Sequence, residues 1–322
     1  MMPSRAAVID LGTNTFHLLI LEWEGMQFRI LEKLQLPVKL GKGTFHSLMI
    51  SNEAYIRGID AMKEFKSLVD SYEISNVEIY GTSTFRNAKN GPLFAIEAET
   101  IIGQPIRTIS GDEEAELIFS GVKNAVPLGD QPHLIMDIGG GSVEFIIGNN
   151  KSISWIKSYE IGAARLIDRF PGMDPMHEDK ISEVEAFLET ELTELWEQAL
   201  NFNVKTLVGA SGSFESLGKM ERNIFNLEKK AQYSLHHEID YFHFEHIYQK
   251  IISATQEEIM YFPGIPAFRV EMISMAAVMI NYVLKRTGIH KIITSDYALK
   301  EGVMLRLMEE NEHKIEKKTV SK

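Results

Sequence analysis

Two short apolar runs in this chain end in the same acid and the same glycine. AAVIDLGTNTFHLLIL carries Asp10-x-Gly12 and HLIMDIGGGSVEFIIG carries Asp137-x-Gly139, 127 residues apart. Each reads as a β-strand, a tight polar turn and a second strand. Glycine lets a backbone approach an anion closely, and Ser or Thr adds a hydroxyl. Gly12-Thr13-Asn14-Thr15 and Gly139-Gly140-Gly141-Ser142 therefore have the make-up of phosphate-gripping loops. Asp10 and Asp137 each end a strand, where a carboxylate can hold Mg²⁺ (or Mn²⁺) directly or through water. One copy alone reads equally well as an ordinary hairpin. Two copies at domain-length spacing point to an α/β chain of two related domains facing each other across a phosphate cleft.

Composition bounds the partners. A chain of 322 residues that is 44% hydrophobic can fill two cores. It has no cysteine, so disulfides and thiolate metal sites are excluded and a cytoplasmic location is expected. No signal peptide precedes the first motif, and no apolar run suggests a membrane span. The net charge of −12 argues against a protein that coats a nucleic-acid polymer. A polyanionic ligand would have to be held by local basic side chains, backbone amides and a divalent cation.

Hydrophobic periodicity predicts a first domain over residues 1–125, in the order β-β-β-α-β-α-β-α. Its first helix carries Ile56, Ile59, Met62, Phe65 and Val69 at helical spacing, with Ser51 or Asn52 as N-cap. AVPLGDQPH forms the boundary. The second domain covers 126–322. It contains one long amphipathic helix over KISEVEAFLETELTELWEQAL, a poorly patterned stretch from Ser213 to Gln256, and a closing helix at about 303–320 that can pack back on the first domain. The apolar C-terminal helices leave a homodimer open.

Three further motifs bear on chemistry. ISGDEEAELIFSGV places Asp112, Glu113 and Glu114 in a first helical turn, where acids complement the macrodipole. GTSTFRNAKNG sets Arg86 among hydroxyls and amides, and an arginine fork matches phosphate oxygens. VGASGS puts Ser211 in a third Gly/Ser-rich turn. His236, His237, His243 and His246 cluster, but without an HExxH motif they read better as surface or supporting groups than as a metal site.

The ordered set VIDLGTNTFHLLIL, GTSTFRNAKNG, ISGDEEAELIFSGV, MDIGGGSVEFIIG, IGAARL, LVGASGS and SDYALKEGV resembles the exopolyphosphatase and guanosine pentaphosphate phosphohydrolase family over residues 6 to 307. The resemblance implies two actin-like (ribonuclease H-like) domains and hydrolysis of the terminal phosphoanhydride of polyphosphate or guanosine pentaphosphate. It also implies that Glu114 is the catalytic base, that Arg86 is the loop arginine, and that Asp137 and Glu144, with Asp10, hold the metal. Val143 and Asn87 depart from the family's usual Thr and acid. The rival readings are an acceptor-dependent kinase of the same superfamily and a non-catalytic nucleotide-binding regulator.

Overall fold

A computed structural model describes residues 3–25, 27–172, 174–227 and 234–320. The chain divides into two compact units, residues 1–121 with 299–322 and residues 122–298. In the first, β1 (Ser4–Leu11), β2 (Thr15–Glu24) and β3 (Gln27–Pro37) form an antiparallel meander. The chain then passes through α1 (Thr44–Ser47) and α2 (Asn52–Ser71) to β4 (Val77–Gly81), parallel to β1. It continues through α3 (Ser83–Asn87) and α4 (Gly91–Ile102) to β5 (Ile106–Thr108), parallel to β4, and on to α5 (Gly111–Ala125).

Period-two alternation decides which strand residues face the helices. Ala7, Ile9, Leu11, Phe16, Leu18 and Ile20 fill one face of the sheet and pack against α2 and α4. Phe94 of α4 anchors that layer, edge-on to Phe16, Tyr55 and Phe85 at centroid distances of 6.2, 5.1 and 5.6 Å. Ser51 caps α2 by accepting from the Ala54 amide, and Gly103 ends α4 in the left-handed region at φ 78°. The apolar stripe of α2 is narrower than its spacing suggests. Ile59, Met62, Phe65 and Val69 are buried, whereas Ile56 is 61% exposed.

The second unit repeats the plan. β6 (His133–Ile138), β7 (Val143–Gly148) and β8 (Ile153–Tyr159) form the meander. α6 (Ala163–Arg169), α7 (Glu178–Glu191) and α8 (Thr193–Asn201) lead to β9 (Thr206–Ala210), parallel to β6. α9 (Ser211–Ile224), β10 (His236–Ile239), α10 (Tyr241–Ile252), α11 (Gln256–Ile259) and α12 (Val270–Thr287) precede β11 (Lys291–Ser295), parallel to β9. The sheets run β3-β2-β1-β4-β5 and β8-β7-β6-β9-β11-β10. An antiparallel meander followed by two parallel strands is common to both. The chain thus holds two related α/β domains built on one plan, and β10 is an added edge.

Several expectations are corrected. The long helix over 180–200 breaks at buried Leu192 into α7 and α8. The unpatterned stretch after Ser213 resolves into α9, β10 and α10, with residues 228–233 outside those described. The division between units falls at 121/122, inside α5, rather than after Ala125. Residues 267–287 are long and apolar enough to cross a membrane, but 72% of that window is buried. They form the core helix of the second unit, where Ala276, Ala277 and Ile280 are inaccessible.

The last helix, α13 (Leu299–Val320), belongs to the first unit and packs on β1. Arg306 donates to the hydroxyl of fully buried Tyr80, and Asn311 donates to the Ser4 hydroxyl at 2.9 Å. Burial, aided by the neighbouring Glu78 carboxylate, pushes the Tyr80 hydroxyl up to about 12. The helix comes in backbone to backbone at Gly302, where a Cβ would stand 1.9 Å from the Leu117 carbonyl oxygen. Gly302→Ala should therefore push α13 off α5 and destabilise the protein by about 1–3 kcal/mol, the usual cost of overpacking. The measurement is the urea midpoint, and an unchanged midpoint would show that α13 slides without cost.

Candidate active site

The two motif hairpins fold to the same turn. Gly12 N–H donates to the Thr15 carbonyl at 3.1 Å, and Gly139 N–H donates to the Ser142 carbonyl at 3.0 Å. A Cβ at Gly12 would stand 2.8 Å from the Thr15 oxygen, and one at Gly139 would stand 3.0 Å from the Ser142 oxygen. The absence of a side chain is what lets both turns close. Superposing the motifs pairs Asp10 with Asp137 and, seven residues on, His17 with Glu144. Asp10 lies opposite His17 in the β1–β2 ladder, and Asp137 lies opposite Glu144 in the β6–β7 ladder. All four project from the sheet face that the main helical core of their unit does not occupy, because their strand neighbours supply that core.

The first loop is buried and tied down. The Thr84 hydroxyl donates to the Thr13 hydroxyl at 2.9 Å, and the Thr15 hydroxyl contacts His17 Nε2 at 3.1 Å. Asn14 is 9% exposed, and its Nδ2 has no hydrogen-bond partner. A buried donor left unpaired costs about 1–3 kcal/mol. A loop that keeps one is suited to receive acceptor oxygens from a ligand.

Arg86 and Glu114, far apart in sequence, meet in this unit. Glycine at the end of β4 allows the Phe85 ring to lie against the backbone, since a Cβ on Gly81 would be 2.6 Å from it. That tight entry starts α3 and sends Arg86 toward α5. Its Nη1 donates to Glu114 Oε2 at 2.7 Å and to the Ile109 carbonyl at 3.2 Å. Both side chains are largely buried, at 17% and 11% exposure. Ser110 caps α5 through the Glu113 amide at 3.1 Å. Glu113 itself turns outward to Arg107 at 2.7 Å. Neighbouring acids of one helical turn thus point to different partners, and Glu114 is the buried one.

In the second unit, Asp137 and Glu144 are 7% and 1% exposed. Two carboxylates directly opposite on adjacent strands repel each other. Ser158, next across the sheet, donates to Glu144 Oε1 at 2.7 Å. The donor set suits a hard divalent cation, which takes carboxylate oxygens and completes its shell with water. Among the described residues no three His, Cys, Asp or Glu side chains are grouped to enclose a metal. The loop from Gly139 to Ser142 is buttressed by the start of α6. Gly162, Ala163 and Arg165 amides donate to the Gly141, Gly139 and Gly140 carbonyls at 3.1, 3.0 and 3.1 Å. Ser211 also reaches this hairpin, donating to the Ile138 carbonyl at 3.3 Å. It opens α9 directly instead of sitting in a separate turn, and does so with φ at 68°, a strained value for a residue with a Cβ.

Residues 19–311 match the Ppx/GppA phosphatase family. A guanosine-5'-triphosphate,3'-diphosphate pyrophosphatase of Aeromonas hydrophila is 27% identical over 95% of this chain and 60% of its own length. One from Aliivibrio fischeri is 30% identical over 67% of the chain and 43% of its own length. The chain therefore spans less than two thirds of these curated relatives. Among solved structures, an exopolyphosphatase from Cytophaga hutchinsonii is 36% identical, with a TM-score of 0.92 over 95% of this chain and 98% of that one. A Ppx/GppA family member from Aquifex aeolicus shares the fold at 22% identity, with a TM-score of 0.77 over 96% of this chain and 99% of that one.

Two of the four clustered histidines serve a buried acid, while His236 Nδ1 meets the Ala125 carbonyl at 2.9 Å. Glu221, 1% exposed, accepts from His237 Nε2 at 2.5 Å, His243 Nδ1 at 2.9 Å and the Asp240 amide at 2.9 Å. His243 stacks on Phe225 at 3.7 Å, and His246 meets the same ring edge-on at 5.6 Å. The His243 and His246 spacing is thus used for packing. Burial raises the Glu221 carboxyl, but the His237, Asp240 and His243 donors outweigh it and hold the group below the usual carboxylate range. A folded value below the unfolded one stabilises at neutral pH, and that stability is lost as pH falls through the folded value. The stability gap between wild type and Glu221→Gln should be widest near neutrality and narrow below about pH 4. Urea midpoints across that range measure it; a constant gap would contradict an ionised Glu221.

Proposed function

Because the chain belongs to the Ppx/GppA phosphatase family, we propose that it hydrolyses the terminal phosphoanhydride of inorganic polyphosphate, guanosine pentaphosphate or both. The observation that carries this reading is the buried Arg86–Glu114 pair at 2.7 Å. Phosphoryl transfer passes through a loose transition state, so placing the attacking water matters more than the strength of the base. An arginine that fixes one carboxylate oxygen sets the plane of the group meeting that water. The water oxygen forms the new bond to phosphorus, its proton passes to the Glu114 carboxylate, and the bridging oxygen leaves with the shortened substrate.

In this reading each hairpin loop, Gly12–Thr15 in its unit and Gly139–Ser142 in its own, offers phosphate oxygens its hydroxyls and the amides that do not close the turn. Ser211 supports the second hairpin from the Ile138 carbonyl. Asp137 and Glu144 would hold a Mg²⁺ or Mn²⁺ ion, with water completing its shell, and when bound the ion offsets the charge of the phosphoryl oxygens; Asp10 is the matching acid of the first hairpin. The assignment of the base and of the metal ligands rests on the motif match and on the burial of Glu114, Asp137 and Glu144.

The test is phosphate release from polyphosphate and from guanosine pentaphosphate with no acceptor present. A kinase would release none. Comparing kcat/KM for the two substrates then decides between them. Glu114→Gln should lower turnover by about 10²–10⁴-fold, the range of general-base assistance, while substrate still binds. An equal loss of binding would remove Glu114 from that role. Asp137→Ala should raise the Mg²⁺ concentration needed for half-maximal activity, and an unchanged titration would exclude Asp137 as a ligand.

A further inference from the structure

The first phosphate loop is held from behind by a segment that no motif singles out. Residues 38–44, VKLGKGT, run from the end of β3 to α1. The Lys39 amide donates to the Asn14 carbonyl at 2.7 Å, and the Gly41 amide donates to the Thr13 carbonyl at 2.9 Å. The far side of this strap is gripped by α2. Arg57 Nε donates to the Val38 carbonyl at 2.8 Å, and its Nη2 donates to the Lys39 carbonyl at 3.4 Å. Lys39, the residue that links these two sets of bonds, is left-handed at φ 49°. A residue with a Cβ keeps that conformation only when its surroundings over-determine it.

Gly41 closes the contact. A Cβ there would stand 2.3 Å from Thr13 Cγ2 and 3.2 Å from the Thr84 hydroxyl oxygen, the group that donates to Thr13. The strap thus fixes the carbonyls of Thr13 and Asn14 from one side. Among the loop's side chains, Asn14 keeps a buried Nδ2 donor without a partner.

We propose that the strap, clamped by Arg57, aims the Asn14 amide at a phosphate oxygen of the substrate, and that Arg57 is a positioning residue for substrate affinity. The proposal rests on reading Gly12–Thr15 as a phosphate loop. Arg57 touches no substrate; it acts through the peptides on either side of Lys39. A donor aimed by the strap meets the same oxygen in the bound substrate and in the transition state. Loss of the clamp should therefore appear in KM and leave kcat nearly alone. A merely structural role would shrink the folded fraction, lowering apparent kcat at constant KM.

The experiment uses the full chain with tripolyphosphate. Arg57→Ala, Arg57→Lys and Gly41→Ala are compared with wild type for KM, kcat and Tm. Tripolyphosphate Kd is measured by calorimetry in a Glu114→Gln background. Arg57→Ala should raise KM and Kd about 5- to 10-fold with kcat within about 2-fold, and Arg57→Lys should recover only part of the loss, because an ammonium still donates to a carbonyl but lacks the fork that spans both. Gly41→Ala should raise both constants further. Unchanged KM and Kd in Arg57→Ala, or a fall in kcat alone, overturns the clamp while leaving the hydrolase reading intact. Wild type that binds tripolyphosphate but releases phosphate neither from it nor from guanosine pentaphosphate, with Kd still weakened by Arg57→Ala, overturns the hydrolase reading and upholds the clamp. Wild type that neither binds nor cleaves either compound overturns both.

Discussion

A glycine amide bonded to the carbonyl three residues later decides the layout of each half of this protein. The bond closes the β1–β2 turn at Gly12 and the β6–β7 turn at Gly139. Once it forms, the antiparallel register is set, and alternation assigns every following side chain to one face or the other. Aliphatic residues then fall on the helical core, and the acids fall on the opposite face. A one-residue slip would bury Asp10 and Asp137 in the wrong layer, so the turn and the core enforce each other.

Charge burial divides into two styles. Glu221 is surrounded by donors from three residues and behaves as a satisfied structural acid. Asp137 and Glu144 instead face one another across a ladder, an arrangement that costs free energy unless something positive joins them. Glu114 lies between these cases, held by the Arg86 guanidinium group. Arginine suits that task because its planar fork reaches the Ile109 carbonyl and the carboxylate from one fixed position. The two hairpins also differ chemically where their backbones agree, since His17 of the first occupies the place of Glu144 in the second.

Much of this was legible in the sequence, because its signals are local. The duplicated hairpins, the Ser51 cap and the sheet-forming runs all follow from short-range pattern and turn chemistry. The family motifs named Arg86 and Glu114 separately, but only tertiary structure joins them through α3 and α5. Three features escaped. The break at Leu192 leaves hydrophobic periodicity almost intact, so nothing in the pattern marks it. The role of residues 38–44 lies in main-chain bonds, which composition does not encode. His17 reads as one more residue of an alternating strand until its ladder partner is known to be Asp10.

The placement of α13 has a consequence for how the chain is made. Its residues complete the first unit, yet every residue of the second unit leaves the ribosome before them. At about 5–20 residues per second, the nascent first sheet waits roughly 10–35 s for its covering helix. Through that interval the surfaces of α5, β4 and β1 that meet Gly302, Arg306 and Asn311 in the finished protein are open to water and to chaperones. The first half to emerge is thus the last to be sealed.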